Sequence, residues 1–253
     1  MDLQNRMNSF VAFSGGVDST ALALLMKDSQ PVFTDTGWEF PELYAHIDRF
    51  EQVTGREVIR ISNEKFPGGI PQYSQHYNFL PNHCQRWCTG EFKINPMNSY
   101  LSDRLPAELL IGLRYDEDRR GNLTEMDGLA IDYPLRERHM TRQDCIDLCL
   151  KHNLLPHYPV YMARGGCKGC FYKRKSEVLA MAALVPDVMD ELQALEESIQ
   201  TERKKRFFYM FTNVGMSIAQ IRQQPLLFDP EQVFADAANR TDMGTTCGLF
   251  CNR

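Results

Sequence analysis

Phe10-Val-Ala-Phe13 is an apolar run too short to be a helix, and it stops at Ser14-Gly15-Gly16. A run of this kind bounded by glycine is how a buried parallel strand reads. Ser19 to Lys27 follows it, apolar nearly all round, which predicts a buried helix. Pro31-Val-Phe-Thr34 is then a second strand, closed by Asp35-Thr-Gly37. Phe40, Leu43, Tyr44, Ile47, Phe50 and Val53 share one helical face, and Gly55 stands where a C-terminal cap belongs. Val58 to Ile61 and Leu109 to Leu113 supply a third and a fourth strand. This β-α-β-α-β rhythm predicts an α/β fold with a doubly wound, mostly parallel sheet. Residues 66 to 105, with several prolines, read as an irregular segment that holds a cysteine pair. After Gly165-Gly166 the pattern turns helical, is interrupted at Pro186, and resumes with Val188, Leu192, Leu195 and Ile199 as a stripe. The organisation predicted is a nucleotide-binding core over residues 1–165 and a helical C-terminal extension over 166–253, integrated as one domain.

Composition narrows the partners. Of 253 residues, 43% are apolar and 24% charged, as in ordinary globular proteins, which excludes a rod, a collagen or a disordered chain. The net charge of −5 gives no overall basic field to draw the chain to nucleic acid or anionic lipid. No purely apolar run, Ala21 to Met26 included, approaches the roughly 20 residues of a membrane span. The first residues carry no cationic stretch followed by an apolar one, so a cytoplasmic protein is expected.

The run Phe13-Ser-Gly-Gly-Val-Asp-Ser-Thr20 carries the clearest chemistry. Glycines let backbone N–H groups approach a phosphate, and the start of a helix adds partial positive charge there. Ser14, Ser19 and Thr20 can donate hydroxyl hydrogen bonds around Gly15 and Gly16. Asp18 would repel phosphate, so its charge suits Mg²⁺ or the orientation of the loop. The plain alternative is a tight strand-to-helix turn. Neither the Walker loop nor the dinucleotide fingerprint matches this spacing. The run resembles the Ser-Gly-Gly-x-Asp-Ser signature of the PP-loop ATP pyrophosphatases. That resemblance implies a Rossmann-like fold and an ATP, with Mg²⁺, cleaved between its α and β phosphates. Within that superfamily, Asp35-Thr-Gly-Trp-Glu-Phe-Pro-Glu42 and Gly112-Leu-Arg-Tyr-Asp-Glu-Asp-Arg-Arg120 are similar to segments of the phosphoadenosine phosphosulfate reductase family. On this resemblance Asp35 and Thr36 lie where the nucleotide crosses the sheet edge. Arg114, Arg119 and Arg120 hold phosphate or sulfate oxygens.

Eight cysteines form four close pairs, which in a reducing compartment point to a metal, a cluster or redox chemistry. Cys84 and Cys88, with Cys167 and Cys170, offer four thiolates, a set that suits Zn²⁺ or an iron–sulfur cluster equally. The family resemblance implies a 4Fe–4S cluster, although its adjacent cysteine pair is here spread to Cys-x₃-Cys. Cys145 and Cys149 share a helix face and are expected in the core. Cys247 and Cys251 stand near the end of the sequence in Cys-Gly-Leu-Phe-Cys, before Asn252 and Arg253. The stretch around Cys247 resembles the terminal Glu-Cys-Gly-Leu-His of sulfonucleotide reductases, whose cysteine attacks sulfur, with Thr246 and Phe250 replacing Glu and His. Arg203-Lys-Lys-Arg206 reads as a solvated basic face. His83 is a spare ligand candidate beside Cys84, while His46, His76, His139, His152 and His157 carry no assigned role.

Three functions compete. The intact Ser-Gly-Gly-Val-Asp-Ser run favours an adenylylating enzyme, with Asp18 and Ser19 at the phosphates, coupled to iron–sulfur-dependent sulfur transfer. The Cys-Gly-Leu tail favours a sulfonucleotide reductase with Cys247 as nucleophile and a thioredoxin-type electron or sulfur donor. A non-catalytic ATP-binding regulator is the third. A nucleic-acid acceptor is left open without support from charge, as is a homo-oligomer, and no membrane partner is expected.

Overall fold

The computed structural model describes residues 7–117, 126–163, 165–202 and 209–223. Strands β1 (Asn8–Ala12), β2 (Gln30–Asp35), β3 (Ile59–Ser62), β4 (Ala107–Leu110) and β5 (Leu129–Asp132) form one sheet in the order β3-β2-β1-β4-β5. Every neighbouring pair is parallel, with Val11 opposite Pro31 on one side and Leu110 on the other. Alternation along β1 sends Val11 and Phe13 into one apolar cluster and Phe10 and Ala12 into a second on the other face. Helices α1 (Val17–Leu25) and α2 (Pro41–Thr54) belong to the first face. Met97 and Leu101, on α5 (Asn95–Ser102), cover the second. The doubly wound parallel sheet anticipated from the sequence is what forms.

Residues 66 to 105 depart from the irregular segment expected. They hold α3 (Gly69–Tyr77), α4 (Trp87–Thr89), a π-helical turn over Gly90–Ile94 and then α5. Pro71 sits in the first turn of α3, where the missing N–H has no partner to lose, and Pro96 follows directly on the π-helical turn. Pro71 therefore marks a helix start, and Pro96 the change from π to α geometry. Strand β5 also escapes the apolar pattern, because it is a short edge strand and only partly buried.

Two short helices continue the chain, α6 (Pro134–Glu137) and α7 (Arg142–Lys151). Thr141 and Asp144 cap α7 reciprocally, and α7 packs against α1. Cys145 and Cys149 are fully buried in that contact, with the Cys149 thiol facing the Val17 carbonyl at 3.6 Å. Burial pushes both thiols up to about 12, so they stay protonated and inert, as the core reading expects. The C-terminal part contributes α8 (Lys175–Leu184), α9 (Pro186–Glu202) and α10 (Ile218–Gln223). Met181, Met189, Leu192 and Ile199 join the same apolar cluster as Val11 and Phe13. No helix among the described residues is long and apolar enough to cross a membrane.

Candidate functional site at the switch point of the sheet

Strand order reverses between β1 and β4, and in open α/β sheets ligands sit outside the carboxyl ends of strands at such a point. The Ser14–Thr20 run lies there. Its turn is closed by the Ser19 hydroxyl, which accepts from the Ser14 N–H at 3.1 Å and donates to the Gly16 carbonyl at 3.0 Å. The Ser14 and Ser19 hydroxyls are also 3.1 Å apart. Gly16 is the N-cap of α1, and no side chain caps the helix there. The opening N–H groups of α1 have no partner within the helix, so they are left for a ligand or water.

Asp18, in the first turn of α1, is buried and meets two guanidinium groups. Arg114, just past β4, donates to it at 2.5 Å and also to Asp116 at 2.8 Å. Arg142, the first residue of α7, reaches the same carboxylate at 3.3 Å. Burial pushes Asp18 above its ordinary range, while Arg114 and Arg142 pull it down. The Arg114 guanidinium is held charged by Asp18 and Glu117 against the cost of its own burial. As placed here, Asp18 serves these two cations. Arg119 and Arg120 lie outside the described residues.

At the end of β2, the Asp35 carboxylate accepts from the Gly37 N–H and the Tyr44 hydroxyl, each at 2.8 Å, and so shapes the turn. Thr36 is fully buried and donates to Glu39 at 2.8 Å. The 165–170 loop docks on this edge as a short antiparallel pairing. Glu39 bridges to Cys167, the Phe40 N–H donates to the Gly166 carbonyl, and the Lys168 N–H to the Trp38 carbonyl. Gly169 permits the approach, since a Cβ there would lie 2.1 Å from the ring of buried Trp38.

The cysteines of the two loops are only partly assembled. Cys84 is exposed, and Cys88, Cys167 and Cys170 are half-buried. Cys167 is held well above the ordinary thiol range by burial and by Glu39, with Lys93 and Lys173 opposing and Cys88 close enough to contribute. Among the described residues no three His, Cys, Asp or Glu side chains gather so as to hold a metal ion. The donor set still has the chemistry of a thiophilic site: four thiols, two of them in electrostatic reach of each other, flanked by Lys93 and the fully buried Lys173. His83 is engaged elsewhere, its Nε2 lying 2.8 Å from Asn213 Oδ1. Cys247 and Cys251 lie outside the described residues, as do Arg203 to Arg206.

Sequence reasoning missed Arg142, His46 and Tyr158. Arg142 had a usable signal: a cation in the first turn of a helix works against the helix dipole, and such local violations mark sites. His46, assigned no role, is buried on α2 with Nε2 3.0 Å from the Thr20 hydroxyl. Burial, with Arg49 and His157 nearby, pushes it down to about 4 from 6.5. Between those pH values the unfolded chain binds a proton that the folded chain refuses. Stability is therefore complete above pH 6.5 and falls as the pH drops to about 4, by about 3 kcal/mol from this residue. Urea titrations across that range are expected to show the loss, and His46→Gln to flatten it.

Residues 8–128, which hold the loop, β4 and the first cysteine pair, match the model of the phosphoadenosine phosphosulfate reductase domain. That stretch, just under half of the chain, is what is similar to the reductase-domain family. Two curated relatives in Methanocaldococcus jannaschii are both uncharacterized proteins. MJ0066 is 32% identical over 111 residues, covering 41% of this chain and 22% of the relative. MJ0973 is 26% identical over 118 residues, covering 45% and 28%. The chain thus spans less than a third of the length of either. A solved phosphoadenylyl-sulfate reductase from Candida auris, in complex with phosphate, is similar with a TM-score of 0.49 and 14% identity, covering 60% of this chain and 76% of that one. The matched residues end before Cys167 and Cys170.

Proposed function

We propose that the chain is a member of the reductase-domain family that binds ATP or a related adenine nucleotide with its pyrophosphate on the Ser14–Thr20 loop and transfers the adenylyl group. One observation carries the reading: the loop, the uncapped start of α1 and two arginines converge at the β1–β4 switch point. An acceptor nucleophile bonds to the α-phosphorus, the bridging bond to the β-phosphate breaks, and pyrophosphate leaves with that electron pair. The acceptor gives up its proton. The N–H groups around Gly15 and Gly16, with the Ser14 hydroxyl, hold the leaving pyrophosphate. Arg114 and Arg142 offset the charge of Asp18, which would otherwise repel the phosphates, and Asp18 fixes both in place. Mg²⁺ carried in with the nucleotide would neutralise further charge on the leaving group.

Cys84, Cys88, Cys167 and Cys170 are the residues that would hold a 4Fe–4S cluster, or Zn²⁺, supplying sulfur or redox chemistry beside the nucleotide. Docking of the Cys167 loop on the end of β2 supports this placement. Elemental analysis of protein purified without oxygen is expected to find iron, and Cys167→Ser to lose most of it. Stoichiometric zinc would reverse the choice of metal.

The match to a reductase domain favours a second reading, sulfite release from a sulfonucleotide with Cys247 as nucleophile. Titrating the full chain with ATP, and competing with inorganic pyrophosphate, tests the first. Pyrophosphate should displace ATP, and adenylyl sulfate with thioredoxin should yield no sulfite. Sulfite production, or ATP binding indifferent to pyrophosphate, would overturn the adenylylation reading.

A further inference from the structure

The carbonyl of Gly15 is not left to solvent. The Tyr158 hydroxyl, on the loop between α7 and α8, donates to it at 2.7 Å. We infer that Tyr158 is a positioning residue of the phosphate loop, turning the Gly15–Gly16 peptide so that the Gly16 N–H faces the pyrophosphate. This rests on the phosphate-binding reading above.

The argument is one of peptide geometry. In a planar trans peptide the carbonyl of Gly15 and the N–H of Gly16 point in opposite directions. A donor that fixes the carbonyl on the Tyr158 and Leu43 side therefore fixes the N–H on the other side. Gly15 itself does not choose between the two orientations, because at φ +74° it lies in the region glycine enters freely. Something outside the loop has to choose, and Tyr158 is placed to do so. Burial and the charge of Glu39 hold its hydroxyl protonated, hence a donor, well beyond neutral pH. Its ring sits edge-on to His46, with centroids 5.9 Å apart, and His46 in turn meets Thr20. The two aromatic side chains thus brace the loop at both ends, at the Gly15 carbonyl and at the Thr20 hydroxyl.

Tyr158→Phe removes the one donor and keeps the ring. Calorimetric titration of the full chain with inorganic pyrophosphate and Mg²⁺ is expected to show affinity about fivefold weaker in the variant, the effect of one net hydrogen bond. In ¹⁵N-glycine-labelled protein, the Gly16 amide should shift on pyrophosphate addition in the wild type and shift far less in Tyr158→Phe. The thermal midpoint should stay within a few degrees. Equal affinities with equal Gly16 shifts would overturn the inference while the phosphate reading stands. Weaker binding accompanied by a large fall in the midpoint would also overturn it, as a structural role. A wild-type chain that does not bind pyrophosphate at all would overturn the phosphate reading, and the inference with it.

Discussion

Arg114→Met is expected to cost roughly 3–5 kcal/mol of stability at neutral pH, the range for removing one partner of a buried ion pair. Arg114 and Asp18 are each less than a tenth exposed, and Asp116 and Glu117 lean on the same guanidinium. Without it, Asp18 keeps, among the described residues, Arg142 at 3.3 Å to offset the burial that already raises its pKa. The pH dependence has a definite sign. In the variant, folded Asp18 holds a proton at pH values where the unfolded chain, with its pKa near 3.8, has lost it. The folded state then binds more protons, so stability rises as the pH falls and the deficit relative to wild type narrows toward pH 4. Urea unfolding at pH 7 and pH 4.5 measures both effects. A loss under about 1 kcal/mol at pH 7 would show that Arg142 alone satisfies Asp18. The double variant with Asp18→Asn closes the cycle and isolates the pair.

The central sheet and the strand–turn–helix at Ser14–Thr20 were legible because they are local. An apolar run, a glycine pair and a helical face lie in consecutive residues, and each obeys its own period. Asp18 and Arg114 were both singled out, yet their pairing across 96 positions was not, since only the adjacency of β1 and β4 brings them together. The same holds for Tyr158 and Gly15, 143 positions apart. Residues 66 to 105 misled for a different reason. Proline was read as a breaker, although in the first turn of a helix it breaks nothing. His46 was passed over because a histidine among apolar positions carries no signal of its own. Its partner, Thr20, comes from another helix. The four cysteines were grouped by spacing, and the fold brings Cys88 and Cys167 into reach while leaving Cys84 exposed. Spacing reports which residues share a loop, not how two loops face each other.

Gly15→Ala is expected to cost about 4 kcal/mol and to abolish measurable pyrophosphate binding, from two separable causes. The first is conformational: at φ +74° an alanine is strained by about 1–2 kcal/mol. The second is overlap, because a Cβ at Gly15 would lie 2.4 Å from Leu43 Cδ1 and 3.2 Å from the Tyr158 hydroxyl. Leu43 is 3% exposed and packed in the main core, so it cannot swing away without disturbing neighbours that include Phe13 and Phe40. Relief has to come from the loop, which moves the Gly15 carbonyl off Tyr158 and the N–H groups off the phosphate. Gly55→Ala is the matched comparison. Gly55 has φ +65° and nothing within 4 Å of a Cβ, so it carries the first cost without the second. It should lose about 1 kcal/mol in urea unfolding and bind pyrophosphate as the wild type does. If the two variants lose equal stability and both still bind pyrophosphate, the contact with Leu43 and Tyr158 does not set the loop, and the loop is not where pyrophosphate binds.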